Sequence, residues 1–185
     1  MRRVIMGQAL LIVCCVFYLA WWYRAYRPGV SVSQIGGING VLLLITMALG
    51  ISGTVFSLTL IPEVSGPDHY PLMITGAGIA AYTVLLLVTK FVFHRIVTAE
   101  LFLIVAWTVL EALVIHSLYA GKFLSDSGVV FLGSVITAAF VISMVLYMAY
   151  YRMEEVKAFY SAMVPLVTEA VAMAVLISVA DKSGW

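Results

Sequence analysis

Six stretches of about 20 mostly apolar residues, separated by short segments that hold nearly all the charge, fill this sequence from end to end. A helix rises about 1.5 Å per residue, so about 20 residues cross a hydrocarbon core about 30 Å thick. Few folds tolerate such a pattern. In hydrocarbon each backbone amide and carbonyl must be satisfied inside the protein, which restricts spanning segments to helices and closed barrels. The alternation of a barrel strand is absent, so all six runs read as helices. The expected fold is an all-α integral membrane protein, a bundle of six transmembrane helices near residues 4–23, 38–61, 71–93, 97–119, 129–151 and 158–180.

Charged residues make up only 10% of the chain and hydrophobic residues 64%, against about 25% charged in ordinary soluble domains. Between the six runs the longest polar gap is about a dozen residues, so residues 1–185 are expected to form a single transmembrane domain. Chemistry is then expected in or at a lipid bilayer, the first partner of such a chain. A formal net charge of +1 gives no reason to expect nucleic acid. The first run, from Val4 to about Tyr23, is too long for a signal-peptide core and ends in Trp21-Trp22-Tyr23-Arg24, so it reads as a retained span. Arg2 and Arg3 lack the flanks of a twin-arginine signal and read as anchors of a helix end. Cys14 and Cys15 are adjacent, without zinc or thioredoxin spacing, and read as packing residues.

Turn-forming residues join the runs: Arg27-Pro28-Gly29, Pro62 to Asp68, and Ser125 to Gly128. The connections around Arg95 and Arg152 are short enough to make their flanking helices antiparallel neighbours. Gly76 to Arg95 and Gly133 to Arg152 share length and several residues at matching offsets, such as Ile79 with Ile136 and Ala81 with Ala138. Three helical hairpins in parallel orientation would produce this, as would the habit of membrane helices to end in aromatics followed by a basic residue. Arg24, Arg27, Lys90, Arg95, Arg152 and Lys157 fall on one side; Arg2, Arg3, Lys122 and Lys182 fall on the other. The positive-inside rule places the first side in the cytoplasm and both termini outside.

Two carboxylates sit at depth, Glu111 in the fourth run and Glu169 in the sixth. A charge there costs several kcal/mol unless it is protonated, paired or facing water. Glu100 and Glu111, eleven residues apart, fall near one helical face with Trp107 and Thr108 between them. Glu155 and Glu169, fourteen apart, are expected to align similarly, with Ser161, Pro165 and Thr168 beside the stripe. Facing seams of this kind suit a cation, a cationic substrate or a transferable proton; a neutral glutamic acid bonding across a helix interface fits the same residues. Pro165 is expected to free a carbonyl near Ser161 and kink its helix.

His69 and His116, with Glu63 and Asp68, lack metal spacing, and His94 lies at the opposite side from His116, so neither a metal site nor haem is expected and no cofactor is implied. The second run is rich in small and hydroxyl residues, from Gly36 to Ser57, which suits close helix packing or a groove with a soft point at Gly50 to Thr54. Gly76 with Ala80, and Gly133 with Thr137, suit the same packing use. Arg24, Arg95 and Arg152, each following aromatics, suit an interfacial belt or the binding of an anionic head group. No nucleotide loop, zinc-protease motif or nucleophile elbow occurs, which removes the familiar enzyme classes. The leading expectation is a small transporter or membrane-embedded ligand-binding subunit for a small molecule or ion, using Glu111 and Glu169 as its acids. Its rivals are a non-enzymatic subunit that packs against a membrane-protein partner or its own copies, and an intramembrane enzyme acting on lipid through Glu111, Glu169 or His116.

Overall fold

A computed structural model describes residues 2–28, 37–59, 69–94, 99–150 and 152–183. Its elements are α1 (Arg2–Tyr26), α2 (Gly37–Leu58), α3 (Tyr70–Leu87) extended by a π-helical turn (Val88–Val92), α4 (Ala99–Ala120), α5 (Asp126–Tyr150), the short α6 (Glu155–Ser161) and α7 (Val164–Ser183). Among the described residues there is no strand, and six helical stretches, with α6 and α7 taken together, are long and apolar enough to cross a membrane.

Local chemistry sets the element ends. Pro71 sits in the first turn of α3, where its missing N–H costs nothing. Helix α4 stops in a paired closure: Phe123 N–H reaches back to Leu118 O at 2.8 Å and Lys122 N–H to Tyr119 O at 2.9 Å, with Lys122 at φ 60. Three residues on, Ser125 Oγ accepts the Gly128 N–H at 3.2 Å and caps α5. The tight turn between these two caps folds α5 back against α4.

Pro165 breaks the sixth run outright. Proline has no N–H to offer the Ser161 carbonyl and its ring clashes there, so α6 ends at Ser161 and α7 restarts at Val164, with Pro165 in its first turn. The expected kink is therefore a two-residue interruption, Ala162 and Met163, inside one membrane-length segment. It also undoes the expected alignment of Glu155 with Glu169. That alignment assumed an unbroken 100° per residue, and Glu155 lies exposed on α6.

Helix α1 packs against α2 and α7, α7 against α5, and α5 against α4, while α4 also meets α2 and α3. These contacts close a ring of helices whose interior is filled by Val114, Leu118, Leu132, Met173 and Leu176. Helix α3 stands outside it, docked chiefly on α4, and none of its residues is buried.

The α1–α2 pair is held by close fit and polar contacts, the means by which apolar helices of this length associate where apolar burial does not drive them together. A Cβ on Gly7 would stand 2.5 Å from Ser57 N, and one on Gly53 would stand 2.8 Å from Leu11 Cγ. The backbones approach this closely only because both residues are glycine. Helix α2 runs unbroken through Gly50 to Thr54, so the small residues there serve packing. The expected packing role fails at two other places. Gly76 on α3 and Gly133 on α5 have nothing within 4 Å of where a Cβ would be, and Gly78 is the α3 glycine that meets α4, at Val109.

Candidate functional site

Four helices bring buried polar side chains to one place in the ring: Gln8 and Cys15 on α1, Ser57 on α2, Glu111 on α4 and Glu169 on α7. Glu111 on α4 is 1% exposed and Glu169 on α7 is 7% exposed, and the two carboxyl groups lie within electrostatic reach of one another. Cys15 on α1 is buried within reach of both. About two helical turns earlier on α1, Gln8 lies fully buried beside Glu111. Its Nε2 donates one N–H to Ser57 Oγ of α2 at 3.3 Å and keeps a second N–H near Glu111, whose oxygens complete no hydrogen bond of good geometry among the described residues. A buried carboxyl group without such a bond is costly in any medium.

Glu169 also reaches a cavity. The four helices α1, α4, α5 and α7 splay at the end where α1 finishes and α4 begins, enclosing about 370 Å³. Tyr18, Trp22 and Tyr26 form the α1 wall, Tyr147 and Tyr150 the α5 wall, and Glu100 stands exposed on α4. The broken segment supplies the remainder: Ser161, Pro165 and Glu169. The break exposes the first turns of α7 to the cavity, which is how the proline contributes to the site. Glu169 is thus both a wall of the cavity and a neighbour of Glu111, which lies outside the cavity lining. Against family models, curated proteins and solved structures, the chain has no match.

The other expected residues divide. Trp107 is buried in the core beside Glu111's turn of α4, away from the cavity. Thr108 and Thr168 return their hydroxyls to their own helices, to Ile104 O at 2.8 Å and Pro165 O at 2.8 Å, so neither is offered to a ligand. Glu100 and Glu169 share the cavity; Glu100 and Glu111 do not. Arg24 is exposed and its Nε donates to Asn39 Oδ1 at 3.4 Å, fastening α1 to α2. Arg152 is exposed, while Arg95 lies outside the described residues, as do Glu63 and Asp68. His116 packs its ring against Tyr70 with centroids 5.5 Å apart.

Sequence reasoning overlooked Gln8. One amide inside an otherwise apolar span is the same signal that singled out the two acids, since an unsatisfied carboxamide in hydrocarbon costs several kcal/mol. Ser57 and Cys15 were read as packing residues, and each also borders the polar cluster.

Proposed function

We propose that this protein is inserted in a bilayer as a small carrier or ligand-binding subunit, with Glu169 as the acid that meets the ligand and Glu111 as the acid behind it. The observation that supports this reading is the double position of Glu169, on the wall of an open cavity and beside a second buried carboxyl group. Two like charges at that depth repel, so the pair holds fewer than two negative charges most comfortably. A cation entering the cavity offsets one charge; a proton offsets it when the cavity is empty. Exchange between the two is the elementary step of proton-coupled transport. On the far side of Glu111 from the cavity, Gln8, Leu118 and the Gly7–Gly53 crossing are closely packed, which supports a mouth at the end where α1 finishes. In the proposed orientation this is the cytoplasmic end, with both termini outside. The three hairpins of the sequence pattern correspond to α1 with α2, α3 with α4, and α5 with the broken α6–α7 segment, each pair in contact.

The test uses purified protein in liposomes loaded with a pH-sensitive dye. Small cationic, anionic and neutral solutes are added in turn, and solute-evoked pH change is compared for wild type, Glu111→Gln and Glu169→Gln. One solute class should evoke proton movement in wild type and in neither variant. Identical responses from all three proteins would remove both acids from the mechanism.

A second reading rests on the uncovered faces. Helix α3 is exposed nearly all round, and α5 presents a shallow groove along Gly133, Ser134, Thr137 and Ala138. Small residues on a lipid-facing surface suit close approach by another helix, which is what a subunit of a larger membrane complex requires.

A further inference from the structure

We propose that the cavity at Glu169 is a site for an aromatic or alkyl organic cation of single charge. The inference rests on the ligand-binding reading above and narrows it to a substrate class.

The cavity wall combines three properties that one chemistry unites. First, its charge is all of one sign: Glu100 and Glu169 are acidic, and among the described residues no Lys, Arg or His lines it. Second, five of its residues are Tyr or Trp, drawn from α1 and α5. Rings present a negative face, and a quaternary or protonated amine seated against several of them is attracted by each. A hydrated metal ion gains little from such walls, whereas an organic cation gains along its whole surface. Third, the cavity volume of about 370 Å³ falls in the range of small-molecule sites.

Unused hydrogen-bonding groups lie at the same place. Ser161 Oγ, on a residue 8% exposed, and the indole Nε1 of Trp22 are both buried with no hydrogen-bond partner among the described residues. The Trp22 ring packs against neighbours, 4.4 Å from the Tyr26 centroid and 6.5 Å from a stacked Phe159. A wall fixed in this way is already arranged before ligand arrives, which lowers the entropic cost of binding. Glu100 stands exposed on the cavity wall and attracts the cation inward. Glu169, nearly buried, is where the positive centre comes to rest.

Binding of phenyltrimethylammonium and of benzenesulfonate to the purified full-length protein, by equilibrium dialysis in detergent, tests the proposal. The two probes share a ring and differ in the sign of their charge. Wild type should bind the cation saturably at one site per chain and the anion at least tenfold more weakly. Glu169→Gln should weaken the cation by at least tenfold, Glu169→Asp by only a few-fold, and Trp22→Leu by about three- to tenfold, the scale of a lost cation–π contact. Equal binding of cation and anion to wild type, or a preference for the anion, overturns the proposal without using any variant. Should the anion or a neutral solute instead drive Glu169-dependent proton movement in liposomes, the carrier reading stands and the organic cation falls. If neither probe binds and no solute class moves protons, both fall together.

Discussion

Gln8 on α1 donates its amide to Ser57 on α2 at 3.3 Å while lying beside Glu111 on α4, so a single carboxamide links three helices at the closed end of the polar cluster. One N–H of the amide goes to the hydroxyl, and the second lies near the acid. The carboxyl group is left with a polar neighbour and no completed bond.

Replacing the hydroxyl should therefore be mild and replacing the amide should be severe. Ser57→Ala removes one neutral hydrogen bond, worth about 1 kcal/mol, and leaves Gln8 Nε2 able to turn to Glu111. Gln8→Leu takes the donor from the buried Ser57 hydroxyl and the amide from beside Glu111, and should cost about 2–3 kcal/mol, the scale of unsatisfied buried groups. Thermal unfolding in a mild detergent reads both, and a Gln8→Leu protein as stable as wild type would sever the link described here.

The glycine crossing makes a sharper prediction because its contact is with backbone. A methyl group on Gly7 would press on Ser57 N at 2.5 Å, and neither main chain yields without moving a helix. Gly7→Ala should cost about 3 kcal/mol, the upper part of the overpacking range. Gly133→Ala, whose new methyl group meets nothing within 4 Å, should stay within about 0.5 kcal/mol of wild type. Equal unfolding temperatures for the two variants would contradict the α1–α2 geometry. A Gly133→Ala variant that is stable yet loses a copurifying protein would instead favour the complex-subunit reading.

Much of this architecture is legible in the sequence, and the limits have physical causes. Length and apolarity alone place the spans, because hydrocarbon thickness dictates both: the expected 71–93 is Tyr70–Val92, and the expected 97–119 falls within a residue or two of Ala99–Ala120. Which side of each helix faces inward is harder to read. Lipid and core are equally apolar, so the residue pattern carries little of the amphipathic stripe that orients a helix in water. Gly76 and Gly133 thus pass for contact residues while facing outward, and Gly78 carries the contact. The sequence singles out Glu111 and Glu169 as deep acids but leaves open whether they face one another, because helix rotation is what the apolar pattern fails to record. The alignment of Glu155 was not sound, because Pro165 ends the helical register on which it depended.

Accessibility gives a third test. Ser161 is buried yet lines the cavity, whereas Ser143 on α5 is fully buried and outside it. With Cys14 and Cys15 replaced by Ala, a small charged thiol reagent should label Ser161→Cys and leave Ser143→Cys untouched. Phenyltrimethylammonium should slow labelling at position 161. Equal labelling at both positions would mean that the interior of the ring is wet throughout, and the cavity at Glu169 would lose its distinction.

The proposed orientation rests on the charge count at the helix ends, six basic residues against four. Each basic residue near a span opposes its own translocation, so the proposal keeps the richer side in the cytoplasm and sends the poorer side, with both termini, out. Fusions that report by folding only in the cytoplasm should be dark at the C-terminus and at Lys122, and bright after Met153. The cavity opens at the same end as Tyr26 and Glu100, so this result also places its mouth. Bright signal at the C-terminus would reverse the molecule, and the cation would then enter from outside.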